Sequence, residues 1–118
     1  MSLRYFELGN EVLGFLTTTK IEERDLEEVH VEIKKRLENH NKIRIYCENA
    51  SGEAMSAKAS LEDLIFKLKF KDRFEKVAIV SDVFKDKLRT KVECTFLNSQ
   101  CHFFKCSERT EALQWVVR

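Results

Sequence analysis

The sequence predicts an α/β protein. We expect a single mixed sheet of four to five strands with about four helices, in the order β-β-α-β-α-β-α-β-α. Three observations carry this. Val77, Ala78, Ile79 and Val80 run without alternation, the pattern of a strand covered on both faces. Ser81-Asp82 follows at once and opens a helical pattern, with Asp82 a good N-cap. Strand and helix patterns then alternate along the rest of the chain.

The elements follow in order. Residues 3–8 and 11–17 read as strands, and Gly9-Asn10 between them is a hairpin signal because glycine tolerates positive φ. Residues 20–39 read as a helix. Leu26, Val29, Ile33 and Leu37 form its apolar stripe, and Thr19 with Glu22 fits a capping box. Acids crowd its start and bases its end, which complements the helix dipole. Lys42 to Glu48 read as a strand with Ile43, Ile45 and Cys47 on one face and Arg44 and Tyr46 on the other. Residues 49–59 are small and polar, the longest loop-like stretch.

Residues 60–73 carry two patterns. Phe66 to Lys71 alternates like a strand, whereas Ser60 with Asp63 resembles a capped helix start. Leu61, Leu64, Ile65 and Leu68 make a helical stripe, and we read a helix. Phe66 and Phe70 then point away from that stripe, toward a second buried surface, a ligand or a partner. Val77 to Ser81 is the central strand. Residues 83–96 form a helix with Phe84, Leu88 and Val92 in line. Cys101 to Cys106 is a short strand, and Ser107 caps a last helix carrying Leu113, Trp115 and Val116.

The bulk numbers bound the function. A chain of 118 residues favours one domain, spanning 1–118, and 43% apolar with 35% charged residues describes a globular chain. A net charge of +1 argues against a dedicated nucleic-acid binder. No apolar run approaches the ~20 residues of a membrane helix, and the start of the chain lacks a signal-peptide layout. A cytoplasmic location without membrane contact is the expectation. The four cysteines, Cys47, Cys94, Cys101 and Cys106, form no C-x-x-C pair and are expected to be free thiols.

Catalytic and metal signals are weak. Cys101, His102 and Cys106 are the one local cluster, and on a strand Cys101 and Cys106 point to opposite faces. No metal or other cofactor is expected. No cysteine sits at a helix N-terminus, where its thiol would be activated. With three glycines, the chain has no phosphate-binding loop. The basic, aromatic run Phe66 to Phe74 reads as an amphipathic helix rather than an RNA-stacking surface.

Several segments carry a family resemblance. They are Lys42-Ile43-Arg44-Ile45, Leu61-Glu62-Asp63-Leu64 with Phe66 and Leu68, Phe74 to Val80 with Asp82, and Glu111-Ala112-Leu113-Gln114-Trp115-Val116. In this order and spacing the chain resembles the SpoIIAA-like family, a branch of the STAS-type domains. The resemblance implies one sheet with helices packed on it, and a non-enzymatic module that binds small apolar or anionic ligands or other proteins. In the anti-sigma antagonist branch a serine in an Asp-Ser-Ser/Thr-Gly motif is phosphorylated at the start of the helix after the third strand. This chain lacks that motif. The corresponding region offers Ser51-Gly52, Ser56 and Ser60, of which Ser60 best fits the helix start.

The expected function is therefore a STAS-like binding or regulatory module. A small molecule or a protein partner would be met at the carboxyl ends of the strands. The candidate residues are Asn49, Ser51, Ser56, Ser60, Phe66, Phe70, Asp82 and Phe84. A pocket would open or close as the helix carrying Phe66 and Phe70 shifts. One alternative is a small enzyme using a thiol or an Asp82/Glu48 acid pair. Another is a homodimer whose interface uses Phe66 and Phe70.

Overall fold

The computed structural model describes residues 3–9, 11–97 and 99–118. Five strands form one mixed sheet: β1 (Leu3–Leu8), β2 (Val12–Thr17), β3 (Ile43–Asn49), β4 (Phe74–Ser81) and β5 (Gln100–Phe104). They are joined by α1 (Glu23–Asn39), α2 (Ala57–Lys69) and α3 (Phe84–Phe96), and α4 (Arg109–Val117) closes the order. The fold class and the element order are those the sequence predicts.

The spatial order is β1-β2-β3-β4-β5. β1 runs antiparallel to β2, from Leu3 opposite Thr17 to Leu8 opposite Val12. The three remaining pairings are parallel. Gly9 takes φ 65°, which a glycine adopts without strain, while Asn10 lies outside the described residues.

Every parallel crossover steps in the same direction, so crossovers of one hand place α1, α2 and α3 on the same face. That face holds the larger core, with Phe15, Ile45, Val77 and Ile79 beneath Val29, Ile33 and Phe66. The other face is covered by α4, whose Ala112 and Val116 pack on Val12, Tyr46, Ala78 and Val80. Val77 and Ile79 thus serve one layer and Ala78 and Val80 the other, which explains the unbroken apolar run. β3 divides as expected, with Ile43, Ile45 and Cys47 facing one core and Tyr46 the other.

Helix starts differ from expectation. α1 begins at Glu23, and the capping pair is Glu22 with Asp25, whose carboxylate accepts the Glu22 N–H at 2.9 Å. Thr19 lies upstream, and its carbonyl accepts the Thr17 hydroxyl. α2 is capped by Ser56, not Ser60; the Ser56 hydroxyl accepts the Ala59 N–H at 3.1 Å. α3 has Val83, not Asp82, at its cap position; Ser81 Oγ accepts the Val83 N–H at 3.0 Å. α4 follows a short 3-10 turn, Cys106–Glu108, rather than starting on a Ser107 cap.

The cysteines also depart from expectation. Cys94 and Cys101 form a disulfide, leaving Cys47 and Cys106 free. The chain turns back from the last turn of α3 into β5 and brings these two Cα atoms to 5.4 Å. That is within disulfide reach, and a spacing of seven residues does not announce it.

Candidate functional site

The largest departure from the sequence reading concerns which faces of α2 and α3 meet the sheet. The apolar stripe of α2 was expected inside. Instead Leu61 (57% exposed), Ile65 (55%) and Leu68 face outward, and Leu64 is half-buried. The inward face of α2 carries Ala59, Asp63, Phe66 and Lys67. α3 is turned the same way. Phe84 (70% exposed), Leu88, Val92 and Phe96 look outward, while Asp86, Thr90 and Glu93 are buried. Helical periodicity finds an apolar face but cannot say that this face meets the sheet.

Ion pairs between the helices take the place of the expected apolar contact. Lys67 Nζ lies 2.9 Å from Asp63 Oδ2 and 2.5 Å from Glu93 Oε1. Arg89 reaches Glu93 at 2.6 Å, Asp63 at 3.5 Å and Asp86 at 3.7 Å. His30 of α1 donates to Asp63 Oδ1 at 2.9 Å and stacks on Phe66, ring centres 3.8 Å apart. Burial would raise the Asp63 pKa, but the Lys67 ammonium, the His30 bond and Arg89 outweigh it and hold the carboxyl well below the usual range. Burial would lower the Lys67 pKa, yet Asp63 and Glu93 hold it above its ordinary value. The cluster holds three carboxylates (Asp63, Asp86, Glu93) against two cations (Lys67, Arg89), so it has no spare positive charge for an anion.

Between this cluster and the sheet lies a cavity of about 60 Å³, lined by Phe15, Ile33, Ile45, Cys47 and Val77 and ended by Asp63 and Lys67. That is room for about four waters, well short of the roughly 300 Å³ of a typical ligand pocket. Phe66 packs in the core, and Phe70 is half-buried against it. Neither lines this cavity. Of the alternatives open for them, Phe66 takes the buried one, and both rings pack α2 against the sheet core.

The carboxyl ends of the strands gather a polar network. Asn49 Nδ2 donates to Asp86 Oδ2 at 2.9 Å, and Ser81 Oγ donates to the same oxygen at 2.7 Å. Ser51 Oγ donates to Asn49 Oδ1 at 2.6 Å. Glu48 accepts from Tyr46 at 2.6 Å and from Arg109, which grips both of its carboxylate oxygens. Burial and the Glu48 bond push the Tyr46 pKa up, and the Glu48 bond raises that of Arg109. Asp82 Oδ1 accepts the Cys106 N–H at 3.1 Å. Asp82 and Glu48 thus each hold a hydrogen-bond partner of their own. Asn49, Ser51 and Asp82 brace the loops, Ser56 caps α2, and Ser60 follows within its first turn. Phe84, 70% exposed, projects into solvent.

The free thiols are not primed for attack. Burial pushes Cys47 up to about 11, and burial with Asp82 pushes Cys106 up. Among the described residues no group of three metal-ligating side chains converges, and no helix is long and apolar enough to cross a membrane.

Two surfaces among the described residues join exposed apolar and basic side chains. The first is the outer side of α2 and α3, where Lys69, Lys85, Lys87 and Lys91 accompany the apolar residues and Glu62 is the exposed acid. The second is a groove of about 310 Å³ between α3 and the end of β5, walled by Phe84 and Phe103. Sequence reasoning singled out Phe84 here but missed Lys87, Lys91, Phe103 and Lys105. Their convergence needs the parallel β4–β5 pairing.

Comparison with known proteins agrees with this fold. A solved structure from Shewanella loihica PV-4, an uncharacterised protein of the DUF3478 family with a SpoIIAA-like fold, superposes with a TM-score of 0.69. It is 20% identical, over 97% of this chain and 91% of that one. No curated protein matches. The SpoIIAA-like family profile matches residues 12–117, all five strands but the first and all four helices. The chain belongs to the SpoIIAA-like family.

Proposed function

We propose that this protein is a non-enzymatic, STAS-like binding module that engages an acidic protein partner through the outward faces of α2 and α3. The observation that carries this is the inverted orientation of the two helices. Seven large apolar side chains, Leu61, Ile65, Leu68, Phe84, Leu88, Val92 and Phe96, are exposed on neighbouring helices while charges are buried beneath them. Exposed apolar groups gathered this way mark an interaction surface. The lysines among them favour an acidic partner and oppose self-association through the same face, because two copies would juxtapose like charges. The N-terminal ends of both helices follow the carboxyl ends of β3 and β4, where partners of α/β folds are met.

The test uses the triple variant Leu61→Ser, Ile65→Ser, Leu88→Ser. All three side chains are exposed, so circular dichroism and the melting temperature stay close to wild type. Wild type and variant serve as bait in a native lysate. Acidic partners held by wild type are expected to fall about tenfold with the variant, the equivalent of ~1.4 kcal/mol, and to weaken with salt. Equal capture by both baits, or salt-insensitive capture, would sink the proposal.

A second reading, a small apolar or anionic ligand at the strand ends, is favoured by the groove at Phe84. A thiol or acid-pair enzyme draws no support from the site, because the thiols are shifted away from reactivity and the acids are separately bonded.

A further inference from the structure

The groove beside β5 combines two features that act on one kind of ligand. Phe84 from α3 and Phe103 from β5 present apolar rings across about 310 Å³, the lower end of the range for small-molecule sites. Lys87 and Lys91 from α3, and Lys105 after β5, line the same groove. None of these three ammonium groups has an ion-pair partner among the described residues.

The two carboxylates on the groove wall are already engaged. Asp82 Oδ1 accepts the Cys106 N–H at 3.1 Å, and Glu108 Oε1 accepts the Lys105 N–H at 2.8 Å. The lining therefore carries three cations against two acids, and the acids are tied to backbone donors. Phe84, 70% exposed, gains from any flat apolar group that covers it.

The geometry points to a binding site for a planar organic anion, an aromatic carboxylate or sulfonate, with its ring against Phe84 and Phe103 and its acid among Lys87, Lys91 and Lys105. The inference rests on the small-ligand reading above and goes beyond it by naming the ligand chemistry. It also reverses the chemistry of the buried cavity. The ion cluster there carries excess negative charge, whereas the open groove carries excess positive charge.

Calorimetric titration with naphthoate and with naphthalenemethanol, which keeps the ring and lacks the charge, tests it on the intact protein. Naphthoate should bind about tenfold tighter than the alcohol, and the preference should shrink with added salt. Lys91→Gln with Lys105→Gln should abolish the preference and leave the weak binding of the alcohol. Leu61→Ser with Ile65→Ser, on the outer face of α2, should change neither. Equal affinity for both compounds, lost together in Phe84→Ser, would overturn the anion chemistry and leave the small-ligand reading standing. Binding that survives the lysine variants but fails in the α2 variant would place the compound elsewhere and overturn the site. No binding of either compound at millimolar concentration would bring down the small-ligand reading itself.

Discussion

Replacing Lys67 with Met tests whether the buried ion cluster seats α2 and α3. Methionine is close to lysine in length and apolar, so the change removes charge with little change in packing. In the native protein Lys67 Nζ stands between Asp63 at 2.9 Å and Glu93 at 2.5 Å. At an effective dielectric constant of ~20, an attraction over 2.9 Å is worth about 6 kcal/mol per pair. The variant also escapes the cost of burying Lys67 itself, several kcal/mol. The net loss for breaking a buried pair from one side is about 3–5 kcal/mol. For a chain of this size that corresponds to a fall of roughly 10–20 °C in Tm.

The pH dependence adds a sign. In wild type the Asp63 carboxyl is held below its ordinary value. Its contribution is fully present above the unfolded pKa of ~3.9 and is lost as pH falls through the folded value. In Lys67→Met, Asp63 loses its nearest cation and its pKa rises. The deficit relative to wild type should therefore be largest at pH 7 and narrow as the pH drops toward ~4. Urea unfolding at a series of pH values measures both effects through the midpoint at constant slope. A loss below about 1 kcal/mol at pH 7, or a deficit independent of pH, would refute the view that this cluster holds the helices.

Two further outcomes are expected. Protein denatured without reductant should titrate two thiols, and four after reduction, because Cys94 and Cys101 are paired; four thiols without reductant would show the pair is open. Gly14→Ala should lower stability by about 1–3 kcal/mol in urea unfolding, because a Cβ there overlaps the ring of its cross-strand partner Phe6, lying 2.7 Å even from Cε1; an unchanged midpoint would mean that Phe6 moves aside freely.

Local pattern determined much of this protein. The run Val77–Val80 set a strand buried on both faces, the stripe Leu26–Leu37 set α1, and β3 divided its side chains as alternation requires. These signals depend on neighbours in the chain, so they are legible without coordinates. Element order followed from them, and with it the fold.

Tertiary structure decided the rest. Asp63 and Lys67 read as the solvated side of an amphipathic helix until α3 brings Arg89 and Glu93, some twenty-six residues away, against them. Their mutual pairing satisfies charges that would otherwise need water, and so both helices turn their apolar stripes outward. Cys94 meets Cys101 for a similar reason, where the chain reverses between α3 and β5. The groove of Phe84, Phe103 and three lysines likewise exists only once β5 lies parallel to β4. Sequence periodicity records which residues share a face. What that face meets is set by partners distant in the chain, and in α2 and α3 those partners are charges.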